Sequence, residues 1–323
     1  MSVLITGVAG FVGSQVARVL LARGEEVVGV DNFSPYYDPV LKFARVKPLR
    51  EDKKFTFVEA DIADRIAMLA LAENHAGIDR IVHLAAQPGV RESVRDPFPY
   101  VHTNVMGHLV VLELARLLAG GLKHFVYASS SSVYGGNHKL PFAVTDRVDH
   151  PVSVYGATKR SGELLVDTYT HLHNLKATGL RYFTVYGPWG RPDMSPYIFA
   201  KAIHDGMTIK LFHLGFVKRD FSYIDDIVDG TLTVLDKPAA EPCHRLYNLG
   251  AADSEDILHV ITLFEQAMGK KAVTELRPGE PGDMLETAAD IAATTRDFGW
   301  TPKVPVEVGI PKYVEWFRSY YRL

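Results

Sequence analysis

The segment Thr6-Gly-Val-Ala-Gly-Phe-Val-Gly13 lies between a short β-branched run at 3–6 and a helix-period stretch at 12–23. It constrains this chain more than any other feature. Gly7, Gly10 and Gly13 permit a tight strand-to-helix turn, a close approach of backbone to a ligand, and close packing of helix on sheet. The helix that begins there presents free N–H groups and its positive dipole end. A pyrophosphate fits such a turn, so Gly7, Gly10, Phe11, Val12 and Gly13 are expected to hold a dinucleotide.

The rest of the first 180 or so residues agrees with that start. Candidate strands at 3–6, 26–30, 55–59, 80–83, 125–129 and 177–182 alternate with helix-period stretches at 12–23, 66–74, 105–118 and 155–172. Strands apolar on both faces and separated by helices predict a parallel sheet covered on both sides. Right-handed crossovers then give an α/β fold with a doubly wound parallel Rossmann sheet. Beyond residue 185 the spacing loosens and Gly/Pro punctuation increases, as in GPWGRPDMSP and RPGEPGD. The expected organisation is a dinucleotide-binding domain over 1–183, to which later short segments return, and a smaller C-terminal α/β substrate domain over 184–323.

Bulk properties exclude several classes. A net charge of −3 offers no basic field for nucleic acid. The single cysteine, Cys243, excludes an internal disulfide and a cysteine-built metal cluster and is assigned no role. The 13 histidines show no HxxxH or HExxH spacing, so no metal is expected, and His83 at a strand end reads as a structural histidine. No apolar run approaches the roughly 18 residues that span a bilayer, and the N-terminus does not resemble a signal peptide, so a cytoplasmic address is expected.

Asp31 ends the second strand, where a carboxylate accepts hydrogen bonds from an adenosine ribose and repels a 2′-phosphate. Asn32 and Phe33 follow and supply no cation, which favours NAD over NADP. Asp61-Ile62 follows the third strand, either beside the adenine or as a helix cap. Tyr155-Gly-Ala-Thr-Lys159 sets a phenol and an ammonium on one face at a helix start. A free phenol titrates near pH ~10; a held cation, Lys159 together with an oxidised nicotinamide, favours its phenolate. Lys159 is also placed to hold the nicotinamide ribose. Upstream, Tyr127-Ala-Ser-Ser-Ser-Ser-Val-Tyr-Gly135 closes the fifth strand with four serines, at the sheet edge where ligands lie.

These motifs together make the chain resemble the extended short-chain dehydrogenase/reductases, and more narrowly the UDP-glucuronate 4-epimerases, over nearly its whole length. The general marks are TGVAGFVG, HLAAQ at 83–87, YASSSSVYG and YGATK. The narrower ones are QPGVR at 87–91, LRYFTVYGPWGRPDM at 180–194 and KRDFSYIDDIV at 218–228. The resemblance implies Tyr155 as catalytic base, Lys159 as its electrostatic partner and Ser130 as the hydroxyl that bonds the sugar 4-oxygen. It places Leu84, Ala85 and Ala86 at NAD, and Gln87, Arg91, Ser131, Ser132, Thr184 and Arg191 at the sugar, the two serines at its carboxylate. It sets Arg219 at the nucleotide phosphates, Asp283 near the uridine ribose and Phe212 against uracil. Galactose epimerases carry asparagine where Thr184 stands, and an arginine where Glu280 stands. Pro88 replaces a more familiar alanine.

The implied reaction is NAD-dependent 4-epimerisation of UDP-glucuronate through a 4-keto sugar, redox-neutral overall, so NAD stays bound between turnovers. Sugar 4,6-dehydratases place an Asp-Glu pair after the hydroxyl residue, and UDP-glucuronate decarboxylases a glutamate; Ser131 and Ser132 stand here. The rival readings are an epimerase for UDP-glucose/galactose or UDP-N-acetylhexosamine, a reductase releasing NADH, and a non-catalytic NAD-binding sensor. The resemblance also implies a homodimer seamed by the helices at 105–118 and 155–172.

Overall fold

The computed structural model describes residues 1–238, 243–279 and 284–323, which form two compact units. The first comprises 1–137, 146–182 and 228–247, the second 138–145, 183–227 and 248–323. The chain therefore crosses between units more often than a single break at 183 provides: the turn at 138–145 belongs to the second unit, and 228–247 returns to the first.

The first unit carries β1 (Ser2–Thr6), β2 (Glu26–Asp31), β3 (Phe55–Glu59), β4 (Ile78–His83), β5 (His124–Ser130) and β6 (Ala177–Tyr182). They pair in parallel in the order β3-β2-β1-β4-β5-β6, and the strand His244–Leu249 adds to the β6 edge. This is the doubly wound Rossmann arrangement, with the order reversing between β1 and β4. The strands are apolar on both faces because both are covered, β1 being buried at every position; on one face Leu4, Val30, Ile81 and Phe125 cluster with Val111 and Leu114 of the helix His108–Leu117 and Val166 of the helix Val154–His173.

Two expected helices are modified. The stretch at 66–74 divides into Arg65–Leu69 and Leu71–Asn74, the first capped by Asp64, whose carboxylate accepts from Ile66 N and Ala67 N. The helix expected at 105–118 begins with a π-helical turn, His102–Gly107, and only then becomes α-helical. That turn carries Asn104, a residue with a part in the site.

The second unit pairs its strands two by two: Thr184–Tyr186 with Phe221–Tyr223 and Thr208–Leu211 with Val273–Leu276, both parallel, and Lys218–Arg219 with Glu255–Asp256, antiparallel. The helices Ser195–Asp205, Ile257–Met268 and Val306–Tyr321 pack through aromatic edges, Phe264 meeting Phe199 and Tyr313. Asp220 is its polar hub. Fully buried, it accepts from Ala251 N, Ala252 N, Ala289 N and the Ser222 hydroxyl. Burial still pushes its carboxyl up to about 6. Among the described residues, no helix is long and apolar enough to cross a membrane, and no group of His, Cys, Asp and Glu could hold a metal ion.

Candidate active site

In the first unit the strand register brings the C-terminal ends of β1, β2 and β4 side by side, with Thr6 opposite Val30 on one side and His83 on the other. The glycine turn sits on that edge. Gly7 has φ +74°, and a Cβ there would lie 2.7 Å from Ala85 N. A Cβ on Gly13 would lie 2.2 Å from the Gly7 carbonyl oxygen, and one on Gly10 2.9 Å from the same atom. All three glycines are therefore required by backbone contacts. The helix Phe11–Ala22 has Gly10 at its N-cap, a residue with no side chain to bond its first N–H groups. This cradle, which any side chain would fill, fits a dinucleotide pyrophosphate.

Asp31 is buried, accepting from Ala9 N (3.0 Å) and Phe33 N (2.9 Å). It thus ties the glycine turn to the end of β2. Burial raises its carboxyl, partly offset by Lys42 and Arg45. Those two buried cations correct the expectation that no cation stands near Asp31: they come from the helix Val40–Val46, beyond the reach of a local reading. Asn32 donates to Asp61 Oδ2 at 2.9 Å, and Asp61 Oδ1 accepts from Ala63 N, which makes Asp61 a loop brace; the helix cap is Asp64. Ile62 is buried against Gly107, where a Cβ would lie 2.7 Å from it.

Leu84, Ala85 and Ala86 follow β4 and are half-buried. Leu84 N donates to Thr6 O, and Ala85 N to Thr6 Oγ1 at 3.3 Å, while Thr6 Oγ1 and His83 Nδ1 lie 2.6 Å apart. His83 lies against His108, with ring centroids 4.9 Å apart and the rings tilted by 44°. Burial, with the Lys159 charge, drives both imidazoles down, His108 to about 3, so both are neutral core groups. Asn104 clamps the next loop: its Oδ1 accepts from Gln87 N, and its Nδ2 donates to Gln87 O and Thr158 Oγ1. Arg91 is exposed at the start of the helix Val90–Arg95.

Ser130 ends β5, and Ser131 and Ser132 open the 3₁₀ turn Ser131–Tyr134. The Ser130 hydroxyl accepts from Ser132 N at 3.1 Å and lies 3.2 Å from Ser132 Oγ. Tyr155 stands in the first turn of the helix Val154–His173, capped by Ser153, and its N–H donates to Ser93 Oγ. A Cβ on Gly156 would lie 2.6 Å from Ser132 O, so the glycine beside Tyr155 lets the helix start against the serine turn. Lys159 Nζ is buried, donates to Ala128 O at 2.9 Å and lies 5.9 Å from the Tyr155 ring centre. Burial lowers it to about 8. The helix start that carries phenol and ammonium thus packs on the strand end and turn that carry the serines, an arrangement suited to exchanging a proton with a bound hydroxyl.

The second unit carries the other expected residues. Thr184 opens its strand and its N–H donates to Asp220 O. Arg191 forms an ion pair with Asp193, Nε to Oδ1 at 3.0 Å. Arg219 donates from Nη1 to Lys218 O and Leu285 O. Phe212 begins the turn Phe212–Gly215. Asp283 and Glu280 lie outside the described residues. The residues that sequence reasoning missed are Thr6, Ser93, Asn104 and Glu163. Glu163 alone had a local signal, at one further helical turn from Lys159 on the same face.

A Rossmann sheet with this cradle, serine turn and YxxxK helix start defines a class, and the chain belongs to it: residues 3–250 match the NAD dependent epimerase/dehydratase family. The similarity then narrows. The chain is 42% identical to UDP-glucuronate 4-epimerase 5 of Arabidopsis thaliana, over 99% of this chain and 76% of that protein. It is 40% identical to a probable UDP-glucuronate 4-epimerase of Rhizobium meliloti, over 100% and 98%. Among solved structures it is similar to the UDP-glucuronic acid 4-epimerase of Bacillus cereus in complex with UDP-glucuronic acid and NAD, with TM-score 0.92 and 33% identity over 99% of this chain and 100% of that one. It is also similar to a UDP-glucose 4-epimerase of Thermotoga maritima with UDP-glucose, with TM-score 0.89 and 31% identity over 99% and 100%.

Proposed function

We propose that this protein is an NAD-dependent UDP-glucuronate 4-epimerase, interconverting UDP-glucuronate and UDP-galacturonate. The observation that carries the reading is the helix start bearing Tyr155 and Lys159 packed on the serine strand and turn, Lys159 bonded to Ala128 O and Gly156 against Ser132 O, in the unit that holds the dinucleotide cradle. The full-length similarity to uronate epimerases supports the choice of sugar.

Gly7, Gly10, Phe11, Val12 and Gly13 hold the NAD pyrophosphate, Asp31 and Asn32 the adenosine ribose, and Leu84, Ala85, Ala86 and Lys159 the nicotinamide half. Asp61 and Ile62 border the adenine. Bound NAD supplies reversible hydride exchange. Tyr155 takes the proton of the sugar 4-hydroxyl and returns it after the ring has turned; Ser130 bonds the same oxygen. Lys159 holds positive charge beside the phenol and favours its ionised form. Ser131 and Ser132 hold the carboxylate away from the geometry in which a β-keto acid loses carbon dioxide. Gln87, Arg91, Thr184 and Arg191 are assigned to the sugar, and Phe212, Arg219 and Asp283 to the nucleotide.

Purified protein given UDP-glucuronate should yield UDP-galacturonate, read from the anomeric proton by NMR, with no net absorbance change at ~340 nm. Conversion of neutral sugars alone would overturn the uronate assignment, and net NADH release would favour a reductase. Tyr155→Phe should abolish turnover while NAD remains bound; retained turnover removes Tyr155 as the base. The exposed Met106, Leu117, Leu164 and Leu172, on the stretches 105–118 and 155–172, support a homodimer seam; a monomeric mass by light scattering would remove it. A cytoplasmic location is consistent with an NAD-dependent reading and is checked by cell fractionation.

A further inference from the structure

Glu163 is absent from every role assigned above, yet its carboxylate accepts four hydrogen bonds. Its side chain is 0% exposed. Oε1 accepts from the Ser129 hydroxyl (2.6 Å) and Arg181 Nε (2.8 Å); Oε2 accepts from Arg181 Nη2 (2.9 Å) and Arg160 Nη1 (3.0 Å). Four donors satisfy the four acceptor sites of an ionised carboxylate. Burial alone would push this carboxyl up, but Arg181, Ser129 and Arg160 hold it below its ordinary value.

The partners give the network its meaning. Glu163 lies on the helix of Tyr155 and Lys159, about two turns beyond the first and one beyond the second, along the same face. Ser129 immediately precedes Ser130 on β5. Arg181, 1% exposed, lies opposite Ser129 on β6 and covers the ring of Tyr134, which closes the serine turn, at 4.9 Å. The helix therefore meets the serine strand at three heights: Gly156 on Ser132 O, Lys159 on Ala128 O, and Glu163 on Ser129 and Arg181. Only the last involves charge at both ends and two strands at once.

We infer that Glu163 is a positioning residue, which through Ser129 and Arg181 fixes the distance between the Ser130 hydroxyl and the Tyr155 phenol. The inference rests on the epimerase reading for its kinetic form, though its geometric form stands without it. A buried ion pair contributes little net stability when compared with apolar residues of like size, so such a network is better explained by specificity of placement than by stability. A misplacement of about 1 Å between reacting groups costs on the order of 100-fold in rate.

The test uses the NAD-loaded protein and two variants. Glu163→Gln leaves Arg181 buried beside a neutral partner and threatens folding. The double change Glu163→Met with Arg181→Met removes both charges and keeps the volume. Per folded, NAD-loaded enzyme, kcat of the double variant should fall on the order of 30- to 100-fold, with KM for UDP-glucuronate and bound NAD unchanged. Ser129→Ala, which cuts one bond, should lower kcat about threefold to tenfold. A double-variant kcat within about twofold of wild type, or a raised KM at constant kcat, overturns the inference. Crystal structures of wild type and double variant provide the second measurement: the Ser130 Oγ to Tyr155 Oη separation should change by about 1 Å. An unchanged separation overturns the inference whether or not the wild type epimerises UDP-glucuronate, whereas an inactive wild type with a changed separation overturns the proposed function alone.

Discussion

Lys159→Met should make the coenzyme-free protein more stable and, on the assigned chemistry, inactive. The ammonium is buried and titrates at about 8 instead of 10.5. At about 1.4 kcal/mol for each pH unit, holding it charged costs the fold roughly 3 kcal/mol at neutral pH. Its bond to Ala128 O returns about 1 kcal/mol, so methionine of similar length should gain about 2 kcal/mol, on the order of 4 °C in Tm. The pH dependence is diagnostic. Because the folded pKa is depressed, the unfolded chain binds more protons between pH about 8 and 10.5, and wild-type stability rises through that window. The advantage of the methionine variant is therefore full below pH about 8 and vanishes by 10.5. Differential scanning fluorimetry at pH 7 and above 10 reads both. A variant that melts lower at pH 7, or whose gain does not change with pH, refutes the burial cost assigned to Lys159.

Asp31→Asn should relax coenzyme choice. It removes the one anion at that position and leaves Lys42 and Arg45, so reconstitution with NADP relative to NAD should improve about tenfold, equivalent to ~1.4 kcal/mol. Unchanged rejection of NADP would show that the carboxylate is not the discriminator. Gly13→Ala drives a methyl group to 2.2 Å from the Gly7 carbonyl oxygen, a backbone atom with little room to move. It should destabilise by about 2 kcal/mol and release NAD from the purified protein, read from the 260 to 280 nm absorbance ratio. Tight retention of NAD in that variant would show that the turn is not the cradle.

What the sequence by itself determined is local or periodic. The glycine turn is legible because three residues within one strand-to-helix connection must all lack a Cβ, whatever the rest of the chain does. The Tyr155/Lys159 pair is legible because a helix places residues four apart on one face, and the sheet because strands buried on both sides carry no polar alternation. Residues that are meaningful only through a distant partner were not legible. Ser93 receives the Tyr155 amide from 62 positions away, and Asn104 clasps Gln87 from a π-helical turn that no periodicity marks. Lys42 and Arg45 approach Asp31 across a loop, and Arg181 reads as a lone cation in an apolar strand until Glu163 is set against it. The interleaving of the two units has the same origin. Strand order and crossovers bring together segments far apart in the chain, and contact energy depends on separation in space, which the linear pattern of residue types does not encode.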